Sequence, residues 1–268
     1  VVTVDLATGR EIFSPARPPL TVSPAKVWES LGPVRLDATI LAGNGVFPTS
    51  SDEPAAAAFD HLRSGLLHGL GQKGWRRVAV TSPTHGCGKS FVATNLALSL
   101  ARRPGSRTTL IDLDLRRPRL AELLGVTEAG PLEDFLSGDQ PLESQFLRFG
   151  RTLALGVNGE PVELASERLH NPDTVLALNA MVAQLDPEVV LYDMPPALVG
   201  DDVLALAPCI EQAFGFELGL EAQELLKQRA LPCALHALHN ELQIAPGLVD
   251  PQAATHLDQF TISGRKVK

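Results

Sequence analysis

The residues with the clearest chemical potential lie in "TSPTHGCGKS", positions 81–90. A phosphate-cradling loop needs inward-pointing backbone N–H groups, glycines that let phosphates approach, a lysine for the outer phosphates and a hydroxyl for magnesium. Gly86, Gly88, Lys89 and Ser90 supply these, with Cys87 between the glycines and Phe91 next in line. The pattern G-x-x-x-x-G-K-S would put its first glycine at 83, where Pro83 stands. An ordinary glycine turn is the plainer alternative, but a strand before the loop and a helix after it are what phosphate binding requires. Two acidic strand ends add to this. "LIDLDLRRP" sets Asp112 and Asp114, and "VVLYDMPP" sets Asp193, at the carboxyl ends of strands, where ligands of open α/β sheets gather. Such carboxylates can hold magnesium directly or through water, or can merely cap the next turn. The apolar run Val189 to Tyr192 carries Asp193 into the interior, where an unpaired carboxylate is costly.

Those residues need a frame. "AAAAFDHLRSGLLHGL" reads as a helix, "RRVAVTS" as a strand, "KSFVATNLALSLARR" as a helix and "RTTLIDLD" as a strand, which together make a βαβ unit. Val92, Leu96 and Leu100 form one stripe of the second helix, with Ala93, Ala97 and Ala101 beside it for close packing on a sheet. "RTLALGV" and "EVVLYDM" are further strands, with "PDTVLALNAMVAQL" the helix between them. Near-continuous apolar strands alternating with helices predict an α/β fold, a parallel sheet flanked by helices. Residues 1–52, with turns such as "ARPPL", read as a flexible arm; 53–241 form the nucleotide-binding domain; 242–268 have no clear assignment.

Composition narrows the classes. The 268 residues are 44% hydrophobic and 20% charged, ordinary for a soluble globular chain. A net charge of -8 argues against bulk nucleic-acid binding. Cys87, Cys209 and Cys233 have the spacing of neither a metal site nor a disulfide framework, and with no apolar run of about 20 residues a cytoplasmic location is expected.

At this level the chain resembles the catalytic domain of the bacterial tyrosine kinases of capsule and exopolysaccharide assembly, relatives of the MinD and ParA ATPases. The resemblance runs from about residue 57 to 208 through "AFDHLRSGLL", "SPTHGCGKS", "LIDLDLRRPRL", "GPLEDFLSGDQPLE", "LALGVNGE", "LHNPDTVLAL" and "VVLYDMPPALVGDDVLALAP". It implies a P-loop NTPase fold of the MinD/ParA-related type, with ATP and magnesium as cofactors. Pro83 is then the usual residue. Lys89 would contact phosphates, Ser90, Asp112 and Asp193 would support magnesium, and Asp112 and Asp114 would form a second acidic motif in which Asp112 accepts the proton of an attacking hydroxyl. Asn240 would meet the base. The resemblance also implies a membrane polysaccharide co-polymerase as partner, at the inner face of the membrane.

Departures qualify it. His85 and Cys87 replace the usual proline and glutamate of the loop, and Thr84 stands where MinD-like loops carry an extra lysine. The ring-forming Glu-x-x-Arg-x-x-Arg pattern is reduced to Arg63, with Ala57 and Asp60 at the other positions, which weakens the expectation of a homo-oligomer. The single tyrosine, Tyr192, lies in a strand, so no tyrosine tail is present to be phosphorylated within these residues. A MinD/ParA-like switch and a non-catalytic nucleotide-binding regulator therefore stay beside the kinase or ATPase reading.

Overall fold

The computed structural model describes residues 2–4, 11–13, 23–48, 54–82, 84–197, 199, 202–206 and 209. In chain order the elements are β1 (Val2–Val4), β2 (Glu11–Phe13), α1 (Pro24–Ser30), β3 (Gly32–Pro33), α2 (Ala38–Gly43), α3 (Pro54–Lys73), β4 (Arg77–Val80) and α4 (Lys89–Ala101). There follow β5 (Thr108–Asp112), α5 (Leu120–Leu124), α6 (Leu132–Leu136), α7 (Leu142–Gln145), β6 (Phe146–Phe149) and β7 (Leu153–Gly156). Last come α8 (Ala165–His170), α9 (Pro172–Leu185), β8 (Val189–Asp193) and α10 (Asp202–Ala205).

The main sheet has six strands in the order β3-β6-β7-β5-β8-β4. Its centre is parallel, with β5 between β7 and β8 and β4 on the outer side of β8. Both β5 and β8 are buried at every position, as strands covered on two faces must be. Helix α4 lies on β4, β5, β7 and β8, and α3 and α5 pack against it; α1, α6 and α8 pack on α9. The expected parallel sheet is thus present, with one exception: β6 runs antiparallel to β7, because only the tight turn at 150–152 joins them, as a hairpin in which Phe149 pairs with Leu153. Helix α4 ends at Ala101, and Gly105 then turns the chain with a φ of 76°.

The expected loose arm is corrected over residues 23–48. Val27, Trp28, Leu31, Leu41 and Val46 are buried, and the Trp28 indole Nε1 donates to the Leu185 carbonyl at 2.6 Å. Asp37 caps α2 by accepting from the Thr39 and Ile40 N–H groups. Asn44 Nδ2 then donates to the Glu122 and Leu123 carbonyls at the end of α5. Burying a tryptophan and pairing its N–H recovers enough free energy to hold a proline-containing stretch that has little regular structure of its own. Strands β1 and β2 pair antiparallel with each other.

Candidate functional site

Strand β4 delivers the chain to the loop at 81–88, and α4 starts immediately after it. Two glycines set the loop's shape. Gly86 and Gly88 have φ of 77° and 88°, a region that a side chain disfavours, so the backbone can curl its N–H groups inward before the helix. Cys87 is buried between them, its Sγ 3.4 Å from Thr84 Oγ1 and 3.9 Å from the His85 carbonyl, so the unusual cysteine packs into the loop wall. The loop is tied to the β8 loop by Thr81 Oγ1, which donates to the Pro195 carbonyl at 2.7 Å, and by the Ala197 N–H to the Ser82 carbonyl. Pro83 and Asn240 lie outside the described residues.

Parallel pairing brings the acidic residues together, since Asp112 and Asp193 are register partners at the ends of β5 and β8. Lys89 Nζ stands 2.6 Å from Asp114 Oδ2, 3.5 Å from Asp193 Oδ1 and 3.3 Å from Ser90 Oγ. All five side chains are buried. One ammonium therefore faces three carboxylates in a low-dielectric interior, an arrangement that favours an added cation. The two aspartates of β5's loop also do the capping that the plainer reading gave them. Asp112 Oδ2 accepts from the Arg119 and Leu120 N–H groups at 3.1 Å, and Asp114 Oδ1 from the Arg117 N–H at 3.2 Å. Capping uses one oxygen of each. Asp112 Oδ1 is left without a hydrogen bond, and neither Asp193 oxygen has one of good geometry.

Those orphaned oxygens are the observation that fits magnesium. Buried carboxylate oxygens without partners are rare and call for an ion or water. Among the described residues no group of three His, Cys, Asp or Glu side chains closes round one point as a complete protein cage would. Magnesium in nucleotide sites is held instead by one or two protein oxygens together with substrate phosphates and water. Electrostatics agree. Burial pushes the Asp193 carboxyl up to about 6 against the opposing pull of Lys89. Burial, then the Asp193 charge, drives Asp112 well above the ordinary carboxylate range. Burial works to lower Lys89, but Asp193, Asp114 and Asp112 outweigh it and hold its pKa above the ordinary lysine value.

The structure thus brings Gly86, Cys87, Gly88, Lys89, Ser90, Asp112, Asp114 and Asp193 to one place. Phe91 is half-buried on the first turn of α4 with its ring 5.9 Å from that of Phe59. Arg63 does not stand alone on a helix surface: its Nη1 donates to Asp60 Oδ1 and to the Ser99 carbonyl, both at 3.0 Å, and Arg102 joins the same Asp60 carboxylate. A residue that motif reading missed is Asp202. It is buried and accepts from Arg116 Nε at 3.1 Å and Ser166 Oγ at 2.7 Å, fixing the arginine of the acidic loop to α10. The Asp201-Asp202 pair eight and nine residues past Asp193, in an otherwise apolar run, was the available signal. Asn95 was also missed; its Oδ1 accepts from the Phe47 N–H at 2.9 Å and joins α4 to the 23–48 segment.

A glycine-bent loop at the start of a helix, a lysine within it and acidic ends on two neighbouring parallel strands define a P-loop NTPase. Residues 75–215 match the ParA family, described as a NUBPL iron-transfer P-loop NTPase, and because the match spans over half of the chain, the chain belongs to that family. Within it the domain is similar to bacterial tyrosine kinase domains. The chain is 34% identical over 160 residues to the provisionally named tyrosine-protein kinase EpsB of Ralstonia nicotianae, covering 58% of this chain and 20% of that protein. It is 33% identical over 134 residues to the iron-sulfur cluster carrier protein of Deinococcus radiodurans, covering 50% of this chain and 37% of that one. The solved BceF tyrosine kinase domain superposes with a TM-score of 0.50 at 26% identity, over 68% of this chain and 75% of that one. The chain spans about a fifth of the length of the tyrosine-kinase relatives it matches. No helix among the described residues is long and apolar enough to cross a membrane.

Proposed function

We propose that this chain binds ATP with magnesium at the 86–90 loop and turns it over, passing the phosphoryl group to water or to a protein tyrosine in the service of exopolysaccharide or capsule assembly. The observation that carries the reading is the buried Lys89 ammonium held by Asp114 and Asp193, with the Asp112 charge acting on it too, at the end of a loop bent at Gly86 and Gly88. An arriving triphosphate competes with Asp114 for Lys89. The ammonium then neutralises the outer phosphates, while the N–H groups of the loop cradle them. Ser90 and Asp193 would hold magnesium, which when bound adds positive charge where the transferred group's charge develops. Asp112 Oδ1 has no hydrogen-bond partner, and burial with the neighbouring Asp193 charge raises its affinity for a proton, which suits a group that takes the proton of the attacking hydroxyl.

Tyr192 is not the acceptor. It is fully buried in β8, burial pushes its hydroxyl pKa up, and both neighbouring strands cover it. Phosphoryl transfer by this fold therefore goes to water or to a tyrosine outside these 268 residues. The polysaccharide setting and a membrane co-polymerase as partner at the inner membrane face rest on the family resemblance. The iron-sulfur relative supports a carrier reading only as far as the shared loop, since the cysteine spacing does not favour cluster ligation.

The test is incubation of the purified chain with labelled ATP and magnesium, with and without Lys89→Met. Released phosphate that disappears in the variant supports turnover. Labelling of an added tyrosine peptide, lost in Asp112→Asn, assigns a kinase; phosphate release alone assigns an ATPase; neither binding nor release by the wild type removes the reading.

A further inference from the structure

The loops at the amino ends of the strands, on the far side of the sheet from Lys89, enclose an open cavity of about 620 Å³ between β4, β5, β7 and β8. Arg76, Arg107 and Arg151 line it together with Asp186, Glu188 and Ser106. Three cations against two acids would ordinarily be a solvated face, and exposed pairs of this kind contribute little. The pairing makes this one different. Asp186 is taken by Arg76, whose Nη1 lies 2.7 Å from Oδ1, and Glu188 is taken by Arg103, which reaches in at 2.9 Å. Among the described residues no carboxylate pairs with Arg107 or Arg151. Two guanidiniums on adjacent loops are thus left uncompensated at one cavity, in a chain of net charge -8.

Arg107 is also held in place. Its guanidinium carbon lies 5.2 Å from the centre of the Trp28 ring, and Trp28 is itself buried and pinned through Nε1 to the Leu185 carbonyl. A stacked guanidinium keeps its donor edge free and loses little freedom on binding, which suits bidentate recognition of a phosphate. The Trp28 platform comes from the 23–48 segment, so that segment has a use beyond covering the core.

We propose that this bowl is a second anion site, in which Arg107 and Arg151 bind the phosphate of a phosphomonoester. The cavity leaves room for an attached organic group, and the source of the phosphate is either a soluble metabolite or a lipid headgroup. The site is separate from the nucleotide loop, and its fate does not depend on whether ATP binds there.

The test is residue-specific. The ¹⁵N-labelled chain is titrated with glycerol 3-phosphate, and the amide signals of residues 105–107 and 151–152 are followed apart from those of 84–90. Saturable shifts in the first group are expected, weakened about tenfold by Arg151→Gln, because each charge-assisted pair contributes that much. Arg107→Gln should do the same, while Lys89→Met leaves the bowl's titration unchanged. Arg151 is exposed on a turn, so its variant remains folded and keeps the test decisive. In a second arm, sedimentation with vesicles containing phosphatidic acid, against neutral vesicles, shows whether a headgroup binds through the same arginines. No saturable shift at the bowl with no vesicle binding, or binding that survives both arginine substitutions, overturns the proposal.

Discussion

The two edges of the central sheet hold similar numbers of charged residues and treat them in opposite ways. At the carboxyl edge Lys89, Asp112, Asp114 and Asp193 are buried, with one cation for three carboxylates and several oxygens unpartnered. At the amino edge Arg76, Arg103, Asp186 and Glu188 are largely exposed and matched one to one. Water screens the second arrangement and leaves it nearly neutral in energy; the first has no such relief and persists because the surrounding strands over-determine it. A shortage of partners in a dry place is thus the better guide to chemistry than the number of charges. By the same measure Arg107 and Arg151 stand out from the rest of their edge.

The contrast can be broken at its strongest point first. Lys89→Met should lower the rate of ATP turnover by roughly a hundredfold to a thousandfold, the usual loss when a charge-stabilising donor is removed. Asp193→Asn should lower it comparably yet leave the ligand-free melting temperature unchanged or higher, because it relieves one of three crowded carboxylates while Asp114 keeps Lys89 at 2.6 Å. A clear fall in melting temperature would mean that Asp193 stabilises the fold. Trp28→Ala should cost about 3–5 kcal/mol in denaturant unfolding, as expected of a large buried aromatic; a surface arm would lose almost nothing.

Protonation probes the same carboxylates more gently. Asp193 titrates at about 6 and Asp112 well above its ordinary value, whereas both would titrate near 4 in the unfolded chain. Between those values the folded chain holds protons that the unfolded chain has released. Ligand-free stability should therefore rise as pH falls from 7 toward 5, and Asp193→Asn should flatten that slope in urea titrations at each pH. The smallest effect belongs to the amino edge. Replacing Glu188 by Gln, which breaks the exposed pair with Arg103, should change stability by less than about 1 kcal/mol and leave turnover untouched.

Much of the carboxyl edge was legible in the sequence because its signals are local. A loop of glycines with Lys89 and Ser90, and aspartates at the ends of apolar strands, each fit within ten residues and require no knowledge of what packs on them. The strands β4, β5, β7 and β8 were legible for the same reason, as short apolar runs between turn residues. By contrast, β6 is four residues with an arginine at its third position, and β3 is two residues that become a strand only by pairing with β6. The 23–48 segment misled because its two helices have only seven and six residues, too short for a period to stand out among prolines; Trp28, Leu31 and Leu41 are buried by α9, α5 and their neighbours, which the local sequence does not reveal. Nor could spacing tell that Asp114, rather than Asp193, would stand nearest Lys89, or that Asp60 would take up Arg63 within the same chain.

Equilibrium binding of ATP by calorimetry, with and without magnesium, for the wild-type chain and Lys89→Met, reaches the central claim most directly. Binding that requires magnesium and weakens at least about tenfold in the variant is the expected result. Absence of binding by the folded wild-type chain, or equal binding by the two proteins, would contradict a nucleotide site built on Lys89 and its three carboxylates.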